Sequence, residues 1–346
     1  MGFRESVPSL NRVNLPRCGR LSLWLRHFDV DFYRTHRHRD GVADLTDLGS
    51  DDLFAHFIER GWAEGRSYNR VLHAFIDPAF YVSRYPELEI ESPEAAVRHW
   101  MYDGYYEGRV PNAASQHVLD SRIHLYQMGK VGSKAIEAAI YAAGHESLVL
   151  HFHWPSDFVA TYPDCFFAYE EVMARNADKP IRVISGVRDP FERLISGFYQ
   201  SPIQDPSEWS VEAATKKIRA MVLSPHRRLI LDWFDHGYCR ELDVYAHPFD
   251  VEAGFGVYEE HHLRLFVYRH DRLPRLVGEL SRFVDLDLSL EPVNRTSDKE
   301  NAESFATIMR TARFPGSVVE EVVTSRYVRH FFTGREIDAM RARWAE

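Results

Sequence analysis

Three short stretches place cations, hydroxyls and imidazoles where an anionic group can be held and a proton removed. The first, LYQMGKVGSKAIEAAIYAAG (125–144), reads as an apolar run, a turn and an Ala-rich helix stopped by Gly144. The turn holds Gly129, Lys130, Val131, Gly132, Ser133 and Lys134. Its glycines let backbone approach an anion, and a helix beginning at Ser133 offers N–H groups and the positive end of its dipole. Lys130 can reach over such an anion and the Ser133 hydroxyl can donate to it. The nucleotide pattern of G, four residues, then G-K-[ST] is not matched. A lysine in a turn is otherwise simply solvated.

The second stretch, VRDPFERLISGFYQ (187–200), puts Arg188 before a helix start. Asp189 suits the N-cap, Pro190 the first helical position and Glu192 a capping box, so these three have a structural explanation. Arg188, Arg193 and Ser196 do not. Residues 193 and 196 share a helix face, and the three together form a second anion site. The alternative is an arginine tied to a neighbouring carboxylate. The third stretch, LVLHFHWPSDF (148–158), sets His151 and His153 on one side of a strand. Imidazole is matched to removing a hydroxyl proton near neutral pH. His153 lies nearer the strand end and is the better base, with His151 orienting it or touching the acceptor. A metal pair lacks an identifiable third ligand. A core histidine held by backbone is the remaining alternative.

The elements that must position these residues alternate. RIHLYQM (122–128), SLVLHFH (147–153), IRVISGV (181–187) and LRLFVYR (263–269) read as strands. Helical stretches at 133–143, about 166–176, 191–200 and much of 211–238 separate them. Ile136, Ala139, Ile140 and Ala143 form the sheet-facing stripe of the first. Alternation of this kind predicts an α/β fold, a mainly parallel sheet flanked by helices, with ligands beyond the strand ends. Two phosphate sites on adjacent strand ends would suit a nucleotide bearing phosphates at both ends.

The paired stretches YQMGKVGSKAI and RDPFERLISGFY resemble the two donor loops of sulfotransferases that use 3′-phosphoadenosine 5′-phosphosulfate. DWFDHGYCRELDVYAHPFDVEAGFGVY (232–258), LFVYRHDRL (265–273) and YVRHFFTGREIDAMRARW (327–344) look like the bacterial group of that family tied to capsular polysaccharide synthesis. The resemblance implies a phosphate-loop-like sulfotransferase fold over 117–346. It implies that the first loop holds the 5′-phosphosulfate and that Arg188 and Ser196, spaced R-x₇-S, hold the 3′-phosphate, with Arg193 beside them. Lys130 would neutralise the leaving oxygen. A similar H-x-H in heparan-type members supplies a general base. No metal is expected. Lys134 departs from the Ser or Thr more usual there, which puts a second cation at the 5′-phosphate. A late 3′-phosphate contact falls in VNRTSDKENA (293–302), on Asn294, Arg295 or Lys299. The acceptor implied is a carbohydrate hydroxyl, on a surface or capsular polysaccharide. Two other readings stay open: a nucleotide-dependent kinase or NTPase, and a non-catalytic polysaccharide-binding protein.

Residues 1–116 read as a small helical domain with a repeat at about 28–69 and 76–112. Asp29, Phe32 and Tyr33 recur as Asp77, Phe80 and Tyr81. His56, Gly61, Glu64, Gly65, Arg66 and Asn69 recur as His99, Gly104, Glu107, Gly108, Arg109 and Asn112. The pattern resembles repeats found beside bacterial surface-polysaccharide enzymes. Trp62, Tyr105, Tyr106, Arg66 and Arg109 are the candidates to stack on sugars. Stacked repeats must bury a shared face, so packing between units and Arg–Glu pairing are the favoured roles. AASQ (113–116) reads as a junction before the sheet.

A net charge of −9 argues against a general nucleic-acid binder, so any phosphate site is local. Cys18, Cys165 and Cys239 are too few and too scattered for a disulfide framework, which fits a reducing compartment. No apolar run approaches membrane-spanning length and no signal core is read in the sequence, so a cytoplasmic location is expected; the resemblance implies association with polysaccharide-synthesis machinery.

Overall fold

Four β-branched and aromatic runs pair in parallel, and one further strand pairs antiparallel at an edge. The computed structural model describes residues 27–36, 45, 47–61, 64–199, 210–235, 242–291 and 302–346. Its strands are β1 (Ile123–Tyr126), β2 (Val149–Phe152), β3 (Ile181–Val187), β4 (Phe255–Glu260) and β5 (Leu263–Arg269), in the order β2-β1-β3-β5-β4. The protein is thus α/β, with a mostly parallel five-stranded sheet flanked by helices. β4 is absent from the sequence reading. Its inward positions are Gly256 and Tyr258, its outward ones Val257 and Glu259, and it turns into β5 through His261 in a left-handed conformation (φ 51°). Such a pattern lacks the β-branched run that marks a central strand.

The chain falls into two compact units, 1–119 with 162–171, and 120–161 with 172–346. In the second, Leu125, Ile184, Phe266 and Tyr268 share one sheet face with Ile136, Ala139 and Ile140 of the Ser133–Ala142 helix and with Leu280 and Phe283. Truncating fully buried Ile136 to Ala would cost about 2–5 kcal/mol. The opposite face carries Tyr126 and Ser185, which meet Trp233 by stacking at 4.6 Å and by an indole hydrogen bond of 3.1 Å. β1 therefore sits at a topological switch. β2 lies on one side of it and β3 on the other, and the loops after β1 and β3 leave from the same edge.

In the first unit, two tyrosines occupy matched settings. Tyr33 bonds His56 Nδ1 at 2.9 Å and Tyr81 bonds His99 Nδ1 at 3.0 Å. Each hydroxyl fills the space a Cβ would need at Gly61 or Gly104, the last residue of a wide helical turn. Arg66 and Arg109 each donate to the glutamate two residues earlier, at 2.6 Å. Tyr105 packs on Trp100 and Phe166. The AASQ stretch is no junction: it begins the helix Ala113–Asp120, with Asn112 accepting from the Ser115 N–H. Trp62 lies outside the described residues, as do Cys18 and Cys239.

Candidate functional site

β1 ends in a loop that several elements hold from different sides. Gln127 is buried, and its side chain bridges to β3 by donating to the Ile184 carbonyl (3.0 Å) and accepting from the Gly186 N–H (2.8 Å). Gly129, Lys130 and Gly132 then take positive φ values of 74°, 63° and 88°. For Lys130 this costs about 1–2 kcal/mol, which the surrounding bonds must offset. Tyr268 donates to the Val131 carbonyl at 2.7 Å and Arg188 Nη1 to the Lys130 carbonyl at 3.0 Å. Gly132 caps the Ser133–Ala142 helix, and no side chain bonds to that end. The Ala135 N–H returns to the Gly132 carbonyl at 3.1 Å, which leaves the N–H groups of Ser133 and Lys134 at the helix start for an anion. Ser133 is buried in that first turn. The exposed Lys134 ammonium meets Glu137 at 3.2 Å.

β3 delivers the arginines. Arg188 backbone is clamped by the buried Tyr327 hydroxyl, which accepts from its N–H (2.9 Å) and donates to its C=O (3.1 Å). Asp189 caps the Pro190–Phe198 helix by accepting from the N–H groups of Phe191 and Glu192. Its second oxygen accepts from the Trp344 indole at 2.9 Å. Burial, with Glu192 nearby, pushes the Asp189 carboxyl up to about 6. Glu192 does not close a capping box. Its carboxylate faces two arginines, Arg188 at 3.3 Å and Arg343 at 2.7 Å. The tie of Arg188 to a neighbouring carboxylate, the alternative left open above, is thus present. Arg193 donates from Nε to the Met128 carbonyl at 3.1 Å and from Nη2 to the same oxygen. Ser196 is buried on the same helix.

β2 supplies the imidazoles, and they part company. His151 pairs with Glu137 at 2.8 Å, which holds that carboxylate below its usual range. His153 instead bonds from Nδ1 to the Gln127 carbonyl at 2.7 Å. A carbonyl only accepts, so Nδ1 carries the proton and neutral His153 presents Nε2 as a lone pair. His153 keeps an exposed surface, yet partial desolvation by its surroundings lowers its pKa; the Gln127 bond opposes, and His151 and Arg193 lower it further. The ring centroids lie 6.0 Å apart. His153 is therefore oriented by Gln127, not by His151.

The three strand ends meet at the loop. A Cβ on Gly129 would lie 3.5 Å from His153 Cε1 and 3.7 Å from Arg193 Nη2. One on Gly132 would lie 2.8 Å from Leu273 and 3.7 Å from His270. Beyond β3 and β5 a cavity of about 250 Å³ opens among Arg188, Glu192, His270, Phe332 and Arg343. His270 was not singled out in the sequence, although it follows β5 directly. Burial and Arg188 push its pKa down to about 4. Arg269, also unremarked, is buried and spent on structure, forked onto both Asp271 and Glu336 at 2.6–3.0 Å. Asn294, Arg295 and Lys299 lie outside the described residues. Among the described residues, no group of three or more His, Cys, Asp or Glu side chains is arranged to hold a metal ion. Nor is any helix there long and apolar enough to cross a membrane. No family model, curated protein or solved structure matches the chain.

Proposed function

We propose that the second unit moves a sulfuryl group from 3′-phosphoadenosine 5′-phosphosulfate to a carbohydrate hydroxyl, on a phosphate-loop-like sulfotransferase fold. The observation that carries this reading is one meeting of groups beyond β1, β2 and β3. Lys130 and an uncapped helix start, two arginines, and a histidine whose Nε2 is left as an acceptor all border the same loop. In this reading the first-turn N–H groups and the Ser133 hydroxyl hold the 5′-phosphate. Arg188, with Arg193 and Ser196 on the following helix, takes the ribose 3′-phosphate. The acceptor oxygen attacks sulfur in line as the sulfur–oxygen bond to the 5′-phosphate breaks. The acceptor proton passes to His153 Nε2, and Lys130 offsets the charge that builds on the departing oxygen. Positioning and charge stabilisation do most of the work. Lys134, exposed and paired with Glu137, adds a second cation at the 5′-phosphate.

The first unit we take to be a pair of helical repeats. The matched Tyr33–His56–Gly61 and Tyr81–His99–Gly104 settings support that reading. A polymeric surface or capsular glycan is the acceptor class that suits it, made in the cytoplasm alongside polysaccharide-synthesis machinery. The test is thermal stabilisation by adenosine 3′,5′-bisphosphate compared with 5′-AMP and ATP. The bisphosphate should raise the melting temperature most. Stabilisation by ATP alone would replace the reading with that of a kinase or NTPase.

A further inference from the structure

The carboxylate of Glu192 is divided between two guanidiniums. Oε1 accepts from Arg343 Nη1 at 2.7 Å, whereas Oε2 meets Arg188 Nη2 and Nε only at 3.3 and 3.4 Å. Charge-assisted N–H···O bonds run about 2.7–2.9 Å, so Arg343 has the stronger hold. Arg343 is itself fixed. Its guanidinium lies 4.4 Å from the Trp344 ring centroid, and Nη2 reaches the Met309 carbonyl at 3.4 Å. The last helix therefore grips Asp189 through Trp344 and Glu192 through Arg343, on either side of the first turn that follows Arg188. Arg188 meanwhile spends Nε, one Nη2 hydrogen and one Nη1 hydrogen on Glu192 and the Lys130 carbonyl. One N–H on each terminal nitrogen is left to receive an oxyanion. Both arginines line the cavity beyond β3 and β5.

We propose that Arg343 is a positioning residue that sets the anion affinity of Arg188 by drawing Glu192 away from it. The anion is a phosphate monoester on ribose, so this inference rests on the proposed function. Arg188, Arg343 and Glu192 together carry one net positive charge. Without Arg343, Arg188 is the remaining guanidinium beside Glu192 among the described residues. Both carboxylate oxygens then close on it, and its charge is cancelled where the ligand needs it.

Calorimetric titration of adenosine 3′,5′-bisphosphate and of 5′-AMP into full-length protein tests this. Arg343→Ala should weaken the bisphosphate about tenfold and leave 5′-AMP unchanged, a size usual for directly coupled neighbours. Adding Glu192→Gln should restore affinity to that of the Glu192→Gln single variant, which a general loss of structure would not allow. If Arg343→Ala fails to fold, Arg343→Gln carries the same expectation. Unchanged affinity in the single variant overturns the proposal. So does a loss that persists in the double variant, since Arg343 would then touch the ligand itself. Wild-type protein that binds no bisphosphate overturns the functional reading as well, whereas a wild type that binds with an unaffected variant overturns this inference alone.

Discussion

Lys130 carries its charge on backbone that a side chain rarely adopts, at φ 63°. Glycine has no steric cost there, so Lys130→Gly removes the ammonium while relaxing the loop. Unfolding in urea should show stability unchanged or raised, while the proposed sulfuryl transfer should fall about 10²–10³-fold, as when one oxyanion donor is lost. Turnover near that of the wild type would remove Lys130 from the chemistry. In the proposed reaction His153 would serve as a base only when neutral. Partial desolvation lowers its pKa, so activity should hold through neutral pH and fall with acidification below about 6.5. His153→Gln should abolish that acid limb with most of the turnover and leave donor affinity intact. His151→Ala, which breaks the pair with Glu137, should keep the limb. The reverse result would exchange the two roles.

At the scale of elements, the turn before the Ser133–Ala142 helix is tight at Gly132. A Cβ at Gly132 would sit 2.8 Å from Leu273 on a φ of 88°. Gly132→Ala should cost about 1–2 kcal/mol from the backbone alone, read by chemical denaturation, and should lower bisphosphate affinity by shifting the helix start. In the first unit the Tyr81 hydroxyl occupies the position a Gly104 side chain would need. Gly104→Ala should therefore lower the melting temperature, and Tyr81→Phe in the same chain should recover part of the loss by removing the overlapping oxygen. No recovery would show that the wide turn at Trp100–Gly104, and not the Tyr81 contact, demands the glycine.

For the whole molecule, acid stability is set by opposing groups. His124 is fully buried on β1 and pushed down to about 3; His270, crowded by burial and Arg188, sits at about 4. Both lie below the unfolded value near 6.5. The unfolded chain therefore takes these protons first, and the stability they represent is lost as pH falls from about 6.5 toward 4 and 3. Glu336 is opposed by burial but held down at about 2 by Arg269 and Thr333, so its share is lost only below about 4.5. Asp189 acts in the other direction: raised to about 6 by burial, it takes a proton in the folded state first and adds stability as pH falls from 6 toward 3.8. His153 and other partly buried histidines are lowered in the same direction, so the histidines outweigh the one carboxyl. Urea unfolding at pH 7 and pH 5 should show a loss of about 1–3 kcal/mol, and His270→Gln should shrink it. An unchanged or larger difference in that variant would mean that His270 is not held neutral.

What the amino-acid order determined by itself is what a few neighbouring residues can settle. The Ile136, Ala139 and Ile140 stripe fixed a helix face, Asp189 and Pro190 fixed a helix start, and the β-branched runs fixed the parallel strands. Helix starts could still be misjudged: AASQ has no Pro or Gly to break a helix, and Asn112 caps it. Which partner a charged side chain takes was decided only by tertiary structure. Glu192 suits a capping box by spacing, yet an arginine 151 residues away claims it. His151 and His153 are equivalent in the chain, but Glu137 takes one and the Gln127 carbonyl the other. Tyr327 reaches Arg188 across 139 residues, and Arg269 reaches Glu336 across 67. The physical reason is one of range. Periodicity and capping act within a turn or two of the chain, whereas an ion pair forms wherever topology brings opposite charges within a few ångströms and out of water.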